Sequence, residues 1–170
     1  MTYTMLTADT IKTLLDLEPL PREGGFYRET YRSADSAPSS DGIVSGRNHR
    51  RLSSAIYYLL TFDEHSSLHS LPGDEIYHFY LGDAVEMLQL HPDGTSEIVR
   101  IGTDIAEGQR PQVRVPGGTW QGCRLVSGGR FALLGTTMAP GFEFSDYTSC
   151  DADDLMEQYP DRSEIIKALI

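Results

Sequence analysis

The sequence predicts an all-β domain, and two observations indicate that class. Segments rich in β-branched and aromatic residues follow one another closely between residues 53 and 138. Turn signals separate these segments, notably Pro72-Gly73-Asp74, Pro92-Asp93-Gly94 and Gly128-Gly129. Many short strands with regular turns are typical of a β-sandwich or β-barrel. A chain of 170 residues fits one domain, so we expect a single domain over residues 1–170.

Short helices are predicted on either side of these strands. Thr7 is a candidate N-cap, and apolar residues follow it at helical spacing from Ile11 onward. Two prolines and two glycines before residue 26 end this N-terminal helix. After the last strand, residues 151–158 and 162–169 are predicted as C-terminal helices. The predicted strands cover residues 26–32, 53–61, 66–71, 75–80, 85–90, 95–101, 112–115, 119–126 and 131–138.

Composition excludes several classes of function. The net charge of -11 makes nucleic acid an improbable partner, because an acidic chain repels phosphate backbones. No run of eighteen apolar residues is present, so we expect no membrane span. The first residues lack a basic segment followed by an apolar one, so we expect no secretory signal. Cys123 and Cys150 form no Cys-x-x-Cys pair, and we expect reduced thiols in a cytoplasmic protein.

Several motifs, taken together in their order and spacing, resemble the cupin superfamily. The likeness is closest to a cupin family of unassigned function that occurs in bacteria, yeasts and animals. The resemblance implies a double-stranded β-helix, the cupin jelly-roll barrel, commonly paired into a homodimer. It covers roughly residues 5–160. The motifs lie at residues 21–32, 54–60, 69–82, 112–116, 120–121 and 139–142.

The same resemblance gives candidate metal ligands. Metal-binding cupins present a His-x-His pair, then a glutamate, then a further histidine. Aligned on the glutamate, this chain offers His69, Leu71, Glu75 and Gln121 at those positions. The resemblance therefore implies at most a degenerate set for a divalent metal, namely His69, Glu75 and Gln121, without the second imidazole. Whether a metal cofactor is present stays open at this point.

Strand alternation predicts which side chains meet inside the barrel. His69 and Leu71 fall on one face of their strand, and Glu75 and Tyr77 share one face of the next. His69 and Glu75 are therefore expected to face the interior together. His78 is out of phase and is expected on the opposite face, in a structural role or at a subunit contact.

These residues also allow metal-free chemistry. A buried His69 beside Glu75 would gain basicity and could act as a general base. Tyr57, Tyr58 or Tyr77 could then act as the acid across the pocket. Sugar-nucleotide epimerases of the cupin superfamily work in this general manner. The alternative is a satisfied buried pair of His69 and Glu75 with no chemistry.

Ligand contacts are predicted at five further positions. Alternation places Arg28 and Arg32 on one strand face, where two guanidinium groups could clamp a phosphate or carboxylate. The alternative is that they pair with acidic residues across the sheet or lie on a solvated outer face. Gln112 and Gln121 are candidate polar contacts. Trp120 would offer a stacking surface inside the pocket, although its phase favours the core or a dimer face.

Four functions remain open on these residues. The first is a metal-independent isomerase, epimerase or lyase that acts on a sugar- or nucleotide-like molecule in the barrel. The second is a protein that binds a nucleotide or sugar nucleotide without chemistry. The third is a metal-dependent enzyme that uses the degenerate ligand set, and the fourth is a structural or storage role. The pocket shape depends on the long polar stretch at residues 33–48, which is predicted as a surface loop.

Overall fold

Two antiparallel β-sheets form the body of the molecule in a computed structural model that describes residues 6–38 and 49–170. All nine predicted strands are present, each with its ends within two residues of the predicted positions. The strands in chain order are β1 (Glu18–Pro19), β2 (Phe26–Arg32), β3 (Ser36–Pro38), β4 (His49–Arg51), β5 (Ser54–Thr61), β6 (Ser66–Ser70), β7 (Glu75–Gly82), β8 (Val85–Leu90), β9 (Ser96–Ile101), β10 (Gln112–Val115), β11 (Trp120–Leu125), β12 (Phe131–Met138) and β13 (Thr148–Ser149).

The strand order is that of a jelly roll. The larger sheet runs β1-β2-β5-β12-β7-β10, and the smaller one runs β13-β6-β11-β8-β9. Within them, the pairs β5 with β12, β6 with β11, β7 with β10 and β8 with β9 nest inside one another along the chain. This nesting means that the chain folds as one long hairpin wrapped into two sheets, which is the jelly-roll arrangement. The all-β prediction is confirmed.

Helices lie at both ends of the chain, as the sequence predicts. They are α1 (Ala8–Leu14), α2 (Ala152–Gln158) and α3 (Ser163–Lys167), with 3-10 turns at Phe144–Asp146 and Pro160–Arg162. The Thr7 hydroxyl accepts the Thr10 backbone N–H at 3.2 Å, so the predicted N-cap is confirmed. Among the described residues, no helix is long and apolar enough to cross a membrane.

Three apolar clusters hold these layers together. The central one fills the space between the sheets and draws from both of them, for example Tyr58 and Met87. The second lies where α2 and α3 cover the outer face of the smaller sheet. The third lies where α1 covers the outer face of the larger sheet, and Ile11 is its buried helical member. Each sheet therefore has one face in the barrel interior and one face under a helical cover.

A β-bulge in β2 corrects the prediction that Arg28 and Arg32 share a face. Glu29 pairs with Ile56 of β5, but the next register pair is Tyr31 with Ala55, so Thr30 is an extra residue. One inserted residue reverses the alternation of every later side chain. Arg28 therefore lies on the outer face, and Arg32 lies on the inner face.

The predicted loop at residues 33–48 contains β3 at its start, and β4 follows it as the partner strand. Residues 39–48 lie outside the described residues. Arg50 of β4 donates from Nη1 to Asp146 Oδ1 at 3.0 Å, and from Nη2 to Asp146 Oδ2 and to the Gly141 carbonyl. These bonds attach the small β3–β4 sheet to the segment that follows β12.

The C-terminal cover gives a stability prediction. Ile166 of α3 is fully buried in the second cluster, whereas Ile170 is 54% exposed. We expect Ile166→Ala to lower the free energy of unfolding by about 2–5 kcal/mol, because it leaves a cavity in packed core. Ile170→Ala removes the same atoms from the surface and should cost less than about 0.5 kcal/mol. Urea denaturation of both variants measures the difference, and equal losses would contradict this description of the cover.

Candidate functional site

Four polar side chains meet in the interior at one end of the barrel. His69 of β6, Glu75 of β7 and Gln121 of β11 are 1%, 7% and 1% exposed. Glu23 joins them from the turn before β2, with 14% of its side chain exposed. The prediction that His69 and Glu75 face the interior together is confirmed. Buried polar groups of this kind require partners, so their contacts define the site.

Glu75 and His69 each have a fixed orientation. Gln121 Nε2 donates to Glu75 Oε2 at 2.7 Å. His69 Nδ1 lies 2.8 Å from the Ser67 carbonyl, which can only accept, so Nδ1 carries the proton in the neutral ring. The lone pair of His69 Nε2 is then directed into the site, 3.9 Å from Glu23 Oε2. The Tyr147 ring stacks on the imidazole at 4.9 Å between centroids.

Glu23 was not predicted from the sequence, and a glycine turn places it in the interior. Gly24 and Gly25 have φ values of 91° and 70°, which glycine adopts readily. An added Cβ on Gly25 would lie 2.9 Å from Tyr58, so the turn packs closely against β5. Ser66 Oγ donates to Glu23 Oε1 at 2.9 Å. The available signal was an acidic residue directly before a Gly-Gly pair, inside a motif shared with the cupins.

Burial changes the proton affinities of this group. Desolvation raises the pKa of Glu23 from 4.5 to about 7, although the hydrogen bond from Ser66 acts against the rise. Desolvation and the nearby Glu23 charge raise the pKa of Glu75. Desolvation lowers the pKa of His69, and the Glu75 charge acts against that effect. Near neutral pH, Glu23 can therefore both hold and release a proton, and His69 is a neutral base.

A cavity of about 270 Å³ opens onto this group from the inner face of the larger sheet. Glu23 and Glu75 form part of its wall, while His69 and Gln121 lie behind them. Leu71 contributes an apolar part of the wall. The residues that line the cavity are Leu20, Glu23, Tyr27, Glu29, Arg32, Ser54, Ala55, Ile56, Leu71, Glu75, Thr136, Met138, Phe142 and Phe144.

A larger groove of about 620 Å³ lies outside the barrel, between the β5–β6 and β11–β12 turns. Its arginines are paired, because Arg124 contacts Glu86 at 3.2 Å and Arg130 contacts Asp83 at 3.3 Å. It is wide and shallow, and the interior histidine and carboxyl groups are not part of it. We place the candidate site in the smaller cavity because buried groups with perturbed pKa values line it.

The structure separates the predicted tyrosines. Tyr77 is 1% exposed in the central cluster, on the same inner face as Glu75. Its burial raises its pKa well above the usual value, so it stays protonated. Tyr57 is not brought to the site, because it alternates with the inward-facing Tyr58 and lies on the outer face. There it packs edge-to-face on Tyr80, with centroids 6.0 Å apart.

The predicted anion clamp does not form. Arg28 Nη1 donates to Asp16 Oδ2 at 2.7 Å and is half exposed on the outer face. Arg32 does line the cavity, but its guanidinium binds Glu29 Oε2 at 2.7 Å and Glu143 Oε1 at 3.5 Å. The alternative reading, in which both arginines pair with acidic residues, describes the structure.

Two further ligand candidates lie away from the cavity. Gln112 Nε2 contacts His78 Nδ1 at 3.3 Å on the outer face of the larger sheet. Trp120 packs in the second cluster beneath the C-terminal helices, as its phase predicts. Neither side chain reaches the interior group, because each strand offers every second residue to the inner face.

Comparison with known proteins identifies the family. The family described as Cupin superfamily (DUF985) matches residues 9–150. The chain belongs to this cupin family. A Shewanella oneidensis protein of known crystal structure is 34% identical, with a TM-score of 0.84, over 97% of this chain and 98% of its own. A hypothetical protein from Leishmania major is 29% identical, with a TM-score of 0.86, over 96% and 98%.

Two further proteins are similar to this chain. An uncharacterized Saccharomyces cerevisiae protein is 29% identical over 141 residues, which are 78% of this chain and 70% of the yeast protein. Oxalate decarboxylase of Bacillus subtilis is 14% identical with a TM-score of 0.53, over 92% of this chain and 38% of that one. At that identity the likeness concerns the fold alone, and it agrees with the predicted jelly-roll barrel.

The interior donors of this cupin do not fit a metal ion. Leu71, which the resemblance aligns with the second imidazole of metal-binding cupins, is apolar. The Gln121 amide N–H donates a hydrogen bond to Glu75 Oε2, so the Gln121 side chain presents a donor and not a metal ligand to this carboxylate. Within residues 6–38 and 49–170, no three His, Cys, Asp or Glu side chains are arranged to hold a metal. His69, Glu75 and Gln121 therefore lack the donor set of a metal site.

The perturbed carboxyl group predicts a pH effect on stability. Between pH 4.5 and about 7, folded Glu23 keeps a proton that the unfolded chain has released. The free energy of unfolding therefore falls as pH rises through this window, and Glu23→Gln removes that loss. We expect the free energy of unfolding of the variant, relative to that of the wild type, to increase by on the order of 3 kcal/mol between about pH 4 and about pH 8. Urea denaturation across this range measures the gain.

His69 has the opposite effect, because its lowered pKa makes stability rise as pH approaches its ordinary value of 6.5. It is present in both proteins, so the difference between them reports on Glu23. Glu107→Gln, at an exposed position, controls for the loss of one carboxyl group. A difference that does not change with pH would contradict the burial of Glu23. The titratable side chains that surround it are Tyr58, His69, Glu75, Tyr77, Cys123 and Tyr147.

The aligned ligand positions predict a gain of metal binding. Leu71→His together with Gln121→His would complete the set that metal-binding cupins use, around His69 and Glu75. We expect the double variant to retain about one equivalent of zinc or nickel through gel filtration. The wild type and the single Leu71→His variant should retain none, as elemental analysis would measure. A double variant without metal would contradict the alignment.

Proposed function

We propose that this cupin binds a small organic molecule in the interior cavity and moves a proton to or from one of its carbon atoms. The reaction class is an isomerisation or epimerisation that needs no metal ion. One observation carries the proposal: Glu23 and Glu75 line the same cavity, with His69 behind Glu23. Such buried acid–base groups beside a cavity are the usual setting of proton-transfer catalysis.

The residues divide into catalytic and positioning roles. Glu23 lines the cavity and has a pKa of about 7, so it can remove a proton or return one at neutral pH. Glu75 enters from a different element, β7, and can act as a second acid or base on the reacting carbon. His69 is a positioning residue, because its Nε2 lies 3.9 Å from Glu23 Oε2, which is beyond a direct hydrogen bond.

This proposal narrows the sequence-based one. A ligand with a polar ring, such as a sugar, remains a candidate. Arg28 and Arg32 are not proposed to hold a phosphate group of the ligand, since both are paired with carboxylates. Tyr77 is buried beside Glu75, and the proposal gives it a structural role rather than that of the acid. The homodimer and the cytoplasmic location stay predictions.

Hydrogen exchange in heavy water tests the proposal without knowledge of the natural substrate. An enzyme that removes a carbon-bound proton incorporates deuterium into its substrate, which mass spectrometry detects. We expect incorporation in at least one member of a panel of sugars, keto acids and amino compounds. Glu23→Gln and Glu75→Gln should slow it by about 10²–10⁴-fold, the usual contribution of an acid or base.

His78→Ala is the control for the two interior substitutions. His78 lies on the outer face and contacts Thr137 at 3.2 Å, so its loss should leave exchange unchanged. Melting temperatures of all variants separate a lost reaction from a lost fold. Undiminished exchange in Glu23→Gln would contradict the assignment of the base. Panel members that bind without exchange would favour a protein that binds its ligand and does not transform it.

A further inference from the structure

The wall of the cavity has an unbalanced charge. Arg32 is the single Lys or Arg among the described residues that line it. Its Nε lies 3.0 Å from both carboxylate oxygens of Glu29, and its Nη2 lies 2.7 Å from one of them. This bidentate pair is close to neutral as a unit. Glu23 and Glu75 remain without a cationic partner from the wall, so the cavity disfavours anions and favours cations.

The interior also has more acceptors than donors. Ser66 and Tyr58 supply donors to Glu23, and Gln121 and Thr136 supply donors to Glu75. An ionised carboxylate can accept about four hydrogen bonds, so both groups retain capacity. Behind them, the side-chain oxygens of Gln121 and Gln89 are buried with no hydrogen-bond partner among the described residues. These two residues are register partners on β11 and β8, so the unused acceptors lie side by side.

Apart from the Arg32–Glu29 pair and the hydroxyl groups of Ser54 and Thr136, the rest of the cavity wall is apolar and partly aromatic. Phe142 and Phe144 meet edge-to-face at 5.1 Å and line it together with Tyr27. Leu71 and Met138 complete the apolar wall. Aromatic faces attract both ring systems and cations. A volume of about 270 Å³ is small for a ligand pocket, so the occupant is a small molecule.

From this placement we infer that the ligand has an apolar body and a cationic head with N–H donors, such as an amine or an amidine. The head lies against Glu23 and Glu75, and the body lies against the wall that contains Phe142 and Phe144. The inference rests on the proposed site, and it adds the substrate class. The head supplies both the positive charge and the donors that the interior side chains lack.

Probes that share one body and differ only in the head test this inference. Benzylamine, benzamidine, benzyl alcohol and benzoate are titrated into the wild-type protein by calorimetry at about pH 8. We expect both cations to bind, and to bind at least about tenfold more tightly than the alcohol, because a hydrogen bond between charged groups is stronger than one from a neutral hydroxyl group. Benzoate should not bind. Equal or tighter binding of benzyl alcohol or benzoate, or no binding of either cation, would overturn the inference.

Variants locate the cationic head. Glu23→Gln and Glu75→Gln keep the shape of each side chain and remove its charge, and each should weaken benzylamine binding by about tenfold or more. Glu107→Gln removes a carboxyl group far from the cavity and should leave the affinity unchanged. If neither interior substitution changes the affinity for benzylamine, the cation binds elsewhere and the inference is overturned.

The two proposals can fail separately. Amine binding at Glu23 and Glu75 without deuterium exchange in any amine would support the ligand class and remove the catalytic role. Exchange that depends on Glu23, but only into compounds without an amine or amidine, would support the catalytic role and overturn the ligand class.

Discussion

The burial of Glu23 beside Glu75 is the constraint on which the candidate site depends. Two acidic side chains in a barrel interior cannot both ionise without a large loss of hydration energy. The chain reduces this loss with hydrogen bonds from Ser66 and Tyr58 to Glu23, and from Gln121 and Thr136 to Glu75. The remaining effect is a pKa near 7 for Glu23 and a raised pKa for Glu75. The same burial therefore creates the proton affinity and the preference for a cation.

The two positions that differ from the ligand set of metal-binding cupins, Leu71 and Gln121, both lack a metal-binding imidazole. Leu71 replaces an imidazole with an apolar wall, and Gln121 replaces another with an amide that donates to Glu75. Both changes remove metal donors, and Gln121 also orients a carboxyl group that a metal would otherwise hold. Glu23 then supplies a second carboxyl group from a turn outside the central barrel strands. The altered positions thus support a proton-transfer site in a fold that also holds metals.

The features that depend on neighbouring residues in the sequence were predicted correctly. The strands, the Thr7 cap and the inward placement of His69 and Glu75 follow from alternation and turn chemistry, and the structure agrees. The shared face of Arg28 and Arg32 was wrong because a one-residue bulge has no clear signal in a single sequence. Glu23 was missed because its position depends on contacts with Ser66, 43 residues away, and on how the glycine turn packs against Tyr58. Non-local geometry of this kind is not encoded in spacing.

Two arginines have a structural role that supports the proposed ligand class. Arg32 binds Glu29, Glu143 and the Phe142 carbonyl, and Arg50 binds Asp146 and the Gly141 carbonyl. Both therefore attach the segment that carries the aromatic wall to the larger sheet and to β4. Guanidinium groups used in this way are neutralised by the carboxylates that they bind. Arg32 and Arg50 are thus neutralised by carboxylates of the protein. The charge that remains for a ligand inside the cavity is that of Glu23 and Glu75.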